Sequence, residues 1–160
     1  MKKRIGIIIA AMLAILIGSL AAAEEEGTSV WVMCQPESYV NIRERPGSRS
    51  PVLGRYEAGT RLTTDGKTKN GYLHLIHLTL ESEEGWIHGG YIVYGEPEEK
   101  NATYEIRSNG RVAARKTIDG KRRRWMRNGD RVTVYRASRV WAVTNRGFIQ
   151  TRYLKEVEEP

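Results

Sequence analysis

Three histidines, one cysteine and a run of basic residues are the side chains from which chemistry could be built. Cys34 with His74, His77 or His88 would make a thiol–imidazole pair, but a nucleophilic thiol needs a lowered pKa from a helix N-terminus or an adjacent base. Cys34 sits in "SVWVMCQ", which reads as a strand, and a small buried hydrophobe is the better reading. His74 and His77 supply two imidazoles without a nearby Cys or carboxylate in sequence, too few for a metal site, and read as solvent-facing strand residues. There is no H-E-x-x-H, no G-x-S-x-G and no phosphate-binding glycine loop. The expectation is a non-enzymatic protein with no catalytic residue, no metal and no cofactor.

Binding residues are easier to find. In "YVNIRERPGSRSPVLG" (39–54), Val40 and Ile42 alternate with Asn41 and Arg43 as in a half-buried strand. Pro46-Gly47 and Ser50-Pro51 then break any ladder. Arg43, Arg45 and Arg49 thus lie in or beside a proline-stiffened loop, a usual place for binding. Lys121-Arg122-Arg123-Arg124, with Arg115, Lys116 and Arg127 nearby, is the densest charge cluster. Like charges packed together favour an anionic partner; the alternative is a solvated loop. Tyr39, Tyr56, Tyr72, Trp125 and Trp141 read equally as core or as broad apolar faces for sugars and peptide stems. Trp86, Tyr91, Phe148 and Tyr153 recur at matched positions and read as core. From these, Arg43, Arg45, Arg49, Tyr72, Arg122, Arg123, Arg124 and Trp125 are the candidate ligand-binding residues.

The elements that position them follow an N-terminal leader. Lys2, Lys3 and Arg4 precede 19 uncharged residues that end in Ala21-Ala22-Ala23, and Glu24-Glu25-Glu26 follow. Residues 1–23 read as a cleaved secretory signal peptide helix. A retained membrane anchor is the alternative, because 19 apolar residues just span a bilayer. Both export the remainder, and Cys34 lies too far downstream for lipid attachment. The expected location is secreted or extracellular and envelope-associated. One cysteine allows no intrachain disulfide, so each unit must be held by its own core.

Charge divides the exported part. Residues 24–100 carry 8 basic and 13 acidic side chains, net −5; residues 101–160 carry 15 and 6, net +9. Motifs also repeat across that division. Val40-Asn41-Ile42-Arg43 matches Val112-Ala113-Ala114-Arg115, and Gly59-Thr60-Arg61-Leu62 matches Gly129-Asp130-Arg131-Val132. Tyr72-Leu73-His74-Leu75 matches Trp141-Ala142-Val143-Thr144, and Gly85 to Ile92 matches Gly147 to Leu154. The spacing drifts only between motifs, as in two copies of one small fold. Asp65-Gly66, Asn70-Gly71 and Asn145-Arg146-Gly147 mark turns between short strands. In "YLHLIHLTL", Leu73 and Leu75 are out of phase with Ile76, Leu78 and Leu80. A β-bulge near Leu75-Ile76 would reconcile them and turn His74 and His77 outward together. The expected divisions are 30–95 for the first unit, 96–104 for a polar linker and 105–156 for the second.

The order Val-Asn-Ile-Arg, Pro-Gly-Ser, Val-Leu-Gly, Gly-Thr-x-Leu, Gly-Trp-Ile-His, Tyr-Ile in the first unit resembles bacterial SH3-like (SH3b) domains. The second unit is similar but departs in "ARKTIDGKRRRWM", where the Pro-Gly-Ser loop would stand. The resemblance implies an all-β protein of two small SH3-like barrels that binds cell-wall peptidoglycan or an associated anionic wall polymer. It also leaves open an envelope adaptor or regulator that binds a protein. Two such units leave no room for a catalytic domain. Export argues against nucleic acid as the partner, and ranks wall polymers and anionic lipids above it. Cleavage after Ala23 predicts that the secreted form begins at Glu24. Mass spectrometry of the culture medium checks this; an intact chain in the membrane fraction would mean an anchor.

Overall fold

The computed structural model describes residues 27–158, and the expected signal peptide, 1–23, lies outside them. No helix among the described residues is long and apolar enough to cross a membrane. The chain is all-β. The first sheet is built from β1 (Thr28–Val32), β2 (Tyr39–Arg43), β3 (Val52–Glu57), β4 (Arg61–Lys69), β5 (Tyr72–Ile76), β6 (Gly85–His88) and β7 (Ile92–Tyr94). The second comprises β8 (Glu98–Ile106), β9 (Val112–Arg115), β10 (Arg122–Met126), β11 (Arg131–Ala137), β12 (Trp141–Thr144), β13 (Gly147–Gln150) and β14 (Leu154–Glu156). All pairings are antiparallel.

Strand order is β3-β2-β6-β5-β4-β1-β7 in the first sheet and β10-β9-β13-β12-β11-β8-β14 in the second, the same order once the strands are counted from β8. Backbone hydrogen bonds repeat at matched places. Gly59 N–H donates to Val32 O at 2.8 Å and Gly129 N–H to Ile106 O at 2.9 Å. Met33 N–H donates to Tyr91 O at 2.7 Å and Arg107 N–H to Tyr153 O at 2.8 Å. Gly59 and Gly129 both have φ of +85°, a conformation that glycine adopts without steric cost.

Alternation fills two cores. Val40, Ile42, Leu73, Leu75 and Ile87 join Val30, Val32 and Cys34 in the first. Val112, Ala114, Val132, Val134, Ala142 and Ile149 form the second. The phase slip after β5 is resolved differently from the expected bulge. His77 adopts φ +56° one residue beyond the strand, which brings Leu78 back into the core. The register shift lies instead on β4, between Thr64 and Thr68. Asp65-Gly66 therefore interrupts a strand rather than ending one. The expected linker is also mostly strand. β8 begins at Glu98, because Glu98 and Glu99 pair their backbones with Ala137 and Arg136 of β11 while their side chains stay exposed.

A third cluster joins the units. Met33 and Val93 of the first pack with Trp141, Val143 and Phe148 of the second, flanked by Trp31, Tyr91, Ile118 and Tyr135. Gln35 Nε2 donates to Thr144 O at 2.9 Å, and Ile118 N–H donates to Gly90 O at 2.9 Å. The two sheets share a core, so unfolding should be a single transition in urea. Phe148 is 2 % exposed, and Phe148→Ala should lower the stability of the whole chain by about 3–5 kcal/mol. Two resolved transitions, with only the later residues affected, would show that the units are independent.

Candidate functional site

The outer face of β2, β6 and β5 carries Tyr39, Asn41, Arg43, Tyr72, His74, Trp86 and His88. Antiparallel partners share a face, and here Arg43 is opposite Trp86, Tyr72 opposite His88, and His74 opposite Trp86. Strand alternation sends Val40, Ile42, Leu73, Leu75 and Ile87 inward, so their neighbours must point the other way. At one end the face opens into a groove of about 230 Å³ lined by Tyr39, Val40, Asn41, Arg43, Tyr72, His88 and Tyr91. Tyr72 also lines a second groove of about 370 Å³ with Lys69, Asn70, Ile92 and the exposed Tyr94.

Aromatic edges build the groove. Tyr72 and His88 meet at 5.3 Å between ring centroids, and His88 and Tyr91 at 5.7 Å, both edge-on. Tyr91 in turn contacts Phe148 at 6.0 Å, which ties the groove wall to the shared core. Tyr39 is 49 % exposed, with the Arg55 guanidinium 4.3 Å over its ring. His88 Nδ1 accepts the Gly90 N–H at 3.1 Å, so the neutral ring carries its proton on Nε2. Burial pushes the Tyr91 phenol up from its ordinary value. Asn41 Oδ1 is buried and has no hydrogen-bond partner among the described residues. The arrangement offers apolar ring faces, O–H and N–H donors and one guanidinium, a mixture suited to sugars and peptide stems.

The arginine loop is more ordered than its sequence suggests. Arg43 Nη1 donates to Ser50 O at 2.7 Å, Arg45 N–H to Ser50 Oγ at 2.8 Å, and Glu44 N–H to Pro51 O at 3.1 Å. Arg43 thus braces the loop and borders the groove. Arg45 and Arg49 are exposed on the loop surface and do not line it. Arg115, at the matched position, braces its own loop through Gly120 O at 2.8 Å. Arg122, Arg123, Arg124 and Trp125 are apart from the groove, on β10. His88, Tyr91 and Asn41 are groove residues that the sequence did not single out for binding. The alternation in Gly-Trp-Ile-His, with Ile87 inward, was the available signal for His88.

The other end of the face is closed by charge. His74 is on the outer face but only 8 % exposed, a correction to its expected solvent-facing position. Trp86 packs beside it at 4.7 Å. His74 Nδ1 is 3.0 Å from Asp65 Oδ2, and Nε2 is 3.6 Å from Glu84 Oε2. Only His77, exposed beyond the strand, meets the sequence expectation. Among the described residues no group of three or more His, Cys, Asp and Glu side chains could hold a metal ion. Cys34 is buried in the first core, its thiol 3.5 Å from Ser38 O, and burial pushes its pKa up. A neutral thiol in that setting is a poor nucleophile.

Residues 38–93 match the family of bacterial SH3 domains. That stretch runs from the start of β2 into β7 and contains every residue lining the 230 Å³ groove. No curated protein matches the chain. Among solved structures, NlpC1 from Trichomonas vaginalis is similar at a TM-score of 0.37 and 14% identity, over 84% of this chain and 48% of that one. NlpC2 from the same organism is similar at 0.34 and 14%, over 82% and 48%. The chain spans about half the length of each.

The closed end of this face carries a pH dependence. Burial raises the Asp65 pKa, but hydrogen bonds from the Lys67 side chain and backbone and from His74 outweigh it and hold the carboxyl at about 2, against 3.8 ordinarily. A carboxyl depressed by folding stabilises the fold fully above its unfolded pKa and loses that contribution as pH falls through the folded one. Asp65→Asn should therefore be less stable than the parent at pH 7, and the gap should close between about pH 4 and pH 2. Urea midpoints of the two proteins at pH 7, 4 and 2 check this; a gap that does not change with pH would contradict it.

Proposed function

We propose that this is an exported, non-enzymatic protein that binds cell-wall peptidoglycan through the groove on its SH3 domain. The observation that carries the reading is the coincidence of the bacterial SH3 match, 38–93, with the aromatic groove of Tyr39, Asn41, Arg43, Tyr72, His88 and Tyr91. The signal-like leader supports export. A buried thiol whose pKa is raised is a poor nucleophile, which supports binding rather than thiol catalysis. We read the second unit as a divergent copy of the first, on the basis of their equal strand order and the matched hydrogen bonds. It would not carry the same groove. Trp141, Val143 and Phe148 stand where the first unit has Tyr72, His74 and Trp86, and they are buried in the shared core.

The test is sedimentation of the chain from Glu24 with purified sacculi stripped of anionic polymers. The parent should pellet with them. Tyr39→Ala removes an exposed ring and should weaken binding roughly tenfold with the fold intact. No pelleting, or binding indifferent to Tyr39→Ala, would overturn the groove reading. Capture of one envelope protein in place of the wall would favour an adaptor.

A further inference from the structure

The basic run 121–124 is not a solvated loop. Arg122 to Met126 form β10, an edge strand of the second sheet. Its register against β9 is Arg122↔Arg115, Arg124↔Ala114, Trp125↔Ala113 and Met126↔Val112, with a shift between Arg122 and Arg124. Arg123 is the extra residue of a bulge. Without a bulge, residues 122 and 125 would face opposite sides of the sheet. With it, both share the outer face of Ala113 and Arg115, and the Arg122 guanidinium stacks 4.5 Å over the Trp125 ring.

The strand keeps its cations unneutralised. Among the described residues, none of Lys121, Arg122, Arg123 and Arg124 has a carboxylate within ion-pair distance. All four are exposed, as is Trp125 at 45 %. Arg122 also lies directly across from Arg115, and like charges opposite each other destabilise a sheet. The preceding loop is fixed in place. Lys116 N–H donates to Lys121 O at 3.0 Å, and Ile118 N–H reaches Gly90 O of the first unit at 2.9 Å. A basic surface held by backbone pairing loses less entropy on binding than a floppy one.

We propose that the outer face of β10, centred on Arg122 and Trp125 with Lys121 and Arg123 beside them, binds a linear polyol-phosphate polymer; Arg124, exposed but paired with Ala114, is on the strand's other side and adds to the local charge. Guanidinium groups take phosphate oxygens in bidentate fashion. The free area of the Trp125 ring offers an apolar face to the carbon skeleton between phosphates. The choice of polyol phosphate among polyanions rests on the wall-binding reading; the site itself does not. It is separate from the peptidoglycan groove, none of whose lining residues is on β10.

The experiment measures binding of soluble poly(glycerol phosphate) to the chain from Glu24 at low salt, in the absence of peptidoglycan. Arg122→Gln, Arg123→Gln and Arg124→Gln combined should weaken binding at least roughly tenfold, and the parent's affinity should fall steeply with added salt. A control triple at exposed sites elsewhere on the second unit, Arg131→Gln, Arg139→Gln and Arg146→Gln, makes the same change in net charge and should keep most of the affinity. Trp125→Ala should cost several-fold. Circular dichroism establishes that each variant is folded. If the control loses as much as the β10 variant, attraction is only a matter of net charge and the proposal fails. It fails equally if a single-stranded oligonucleotide or phosphatidylglycerol vesicles bind more tightly than the polymer. Failure here leaves the stripped-sacculus result unaffected, so the two readings can fall separately.

Discussion

The burial of Trp141, Val143 and Phe148 against Met33, Val93 and Tyr91 is the contact on which the rest of the molecule depends. Trp141, Val143 and Phe148 are on the outer face of β12 and β13, a surface that an isolated small sheet of this order would leave to solvent. Exposed together they would make a large apolar patch. Buried, they turn two sheets, each with a small core, into one body with three clusters. That is a physical gain for a chain without a disulfide.

The same contact assigns different work to equivalent faces. In the first unit the outer face carries Tyr72, His74, Trp86 and His88; Tyr72 and His74 are each 8 % exposed, and a groove opens at one end of the face. In the second unit Trp141, Val143 and Phe148, matched to Tyr72, His74 and Trp86, are apolar and buried in the shared core, while Gln150, matched to His88, is half-buried. The second unit's far edge, β10, offers three arginines and a tryptophan to solvent. The edge-on rings from Tyr72 through His88 and Tyr91 to Phe148 connect the groove wall to the shared core. The groove's shape is thus supported by residues of the other unit, and its rigidity is a property of the whole chain.

Electrostatics follow the same division. In the first unit Asp65 and His74 are largely buried beside Trp86, with the exposed Glu84 bordering them, and hydrogen bonds keep Asp65 ionised to low pH. The second holds its excess of cations on the surface. Buried charge has to be paired to be tolerated. Exposed charge is tolerated unpaired, which leaves it free for a partner.

Much of the fold was legible in the sequence, because strand alternation and turn residues are local. Val40 and Ile42 inward, Asn41 and Arg43 outward, the Asn70-Gly71 turn and the matched glycines 59 and 129 all follow from side-chain period and φ preference. The phase slip was visible too, but its place was not. A bulge in β5 and a left-handed residue at His77 satisfy the same hydrophobic pattern, and only packing of Leu78 against the core chooses between them. The site was legible in part. Arg43 and Tyr72 border the groove as their motifs suggested, and the outward place of His88 follows from alternation with Ile87, whereas Tyr91 enters the groove from a 3-10 turn that no strand period describes. The sequence by itself determined the strands, their inward faces and the division of charge, since these depend on neighbours along the chain. Tertiary structure decided which outer face is covered and which is open, that Trp141 is core while Trp125 is surface, and that a run of arginines is a bulged edge strand. Those outcomes depend on what each strand meets across the sheet and across the interface, and no local pattern records that.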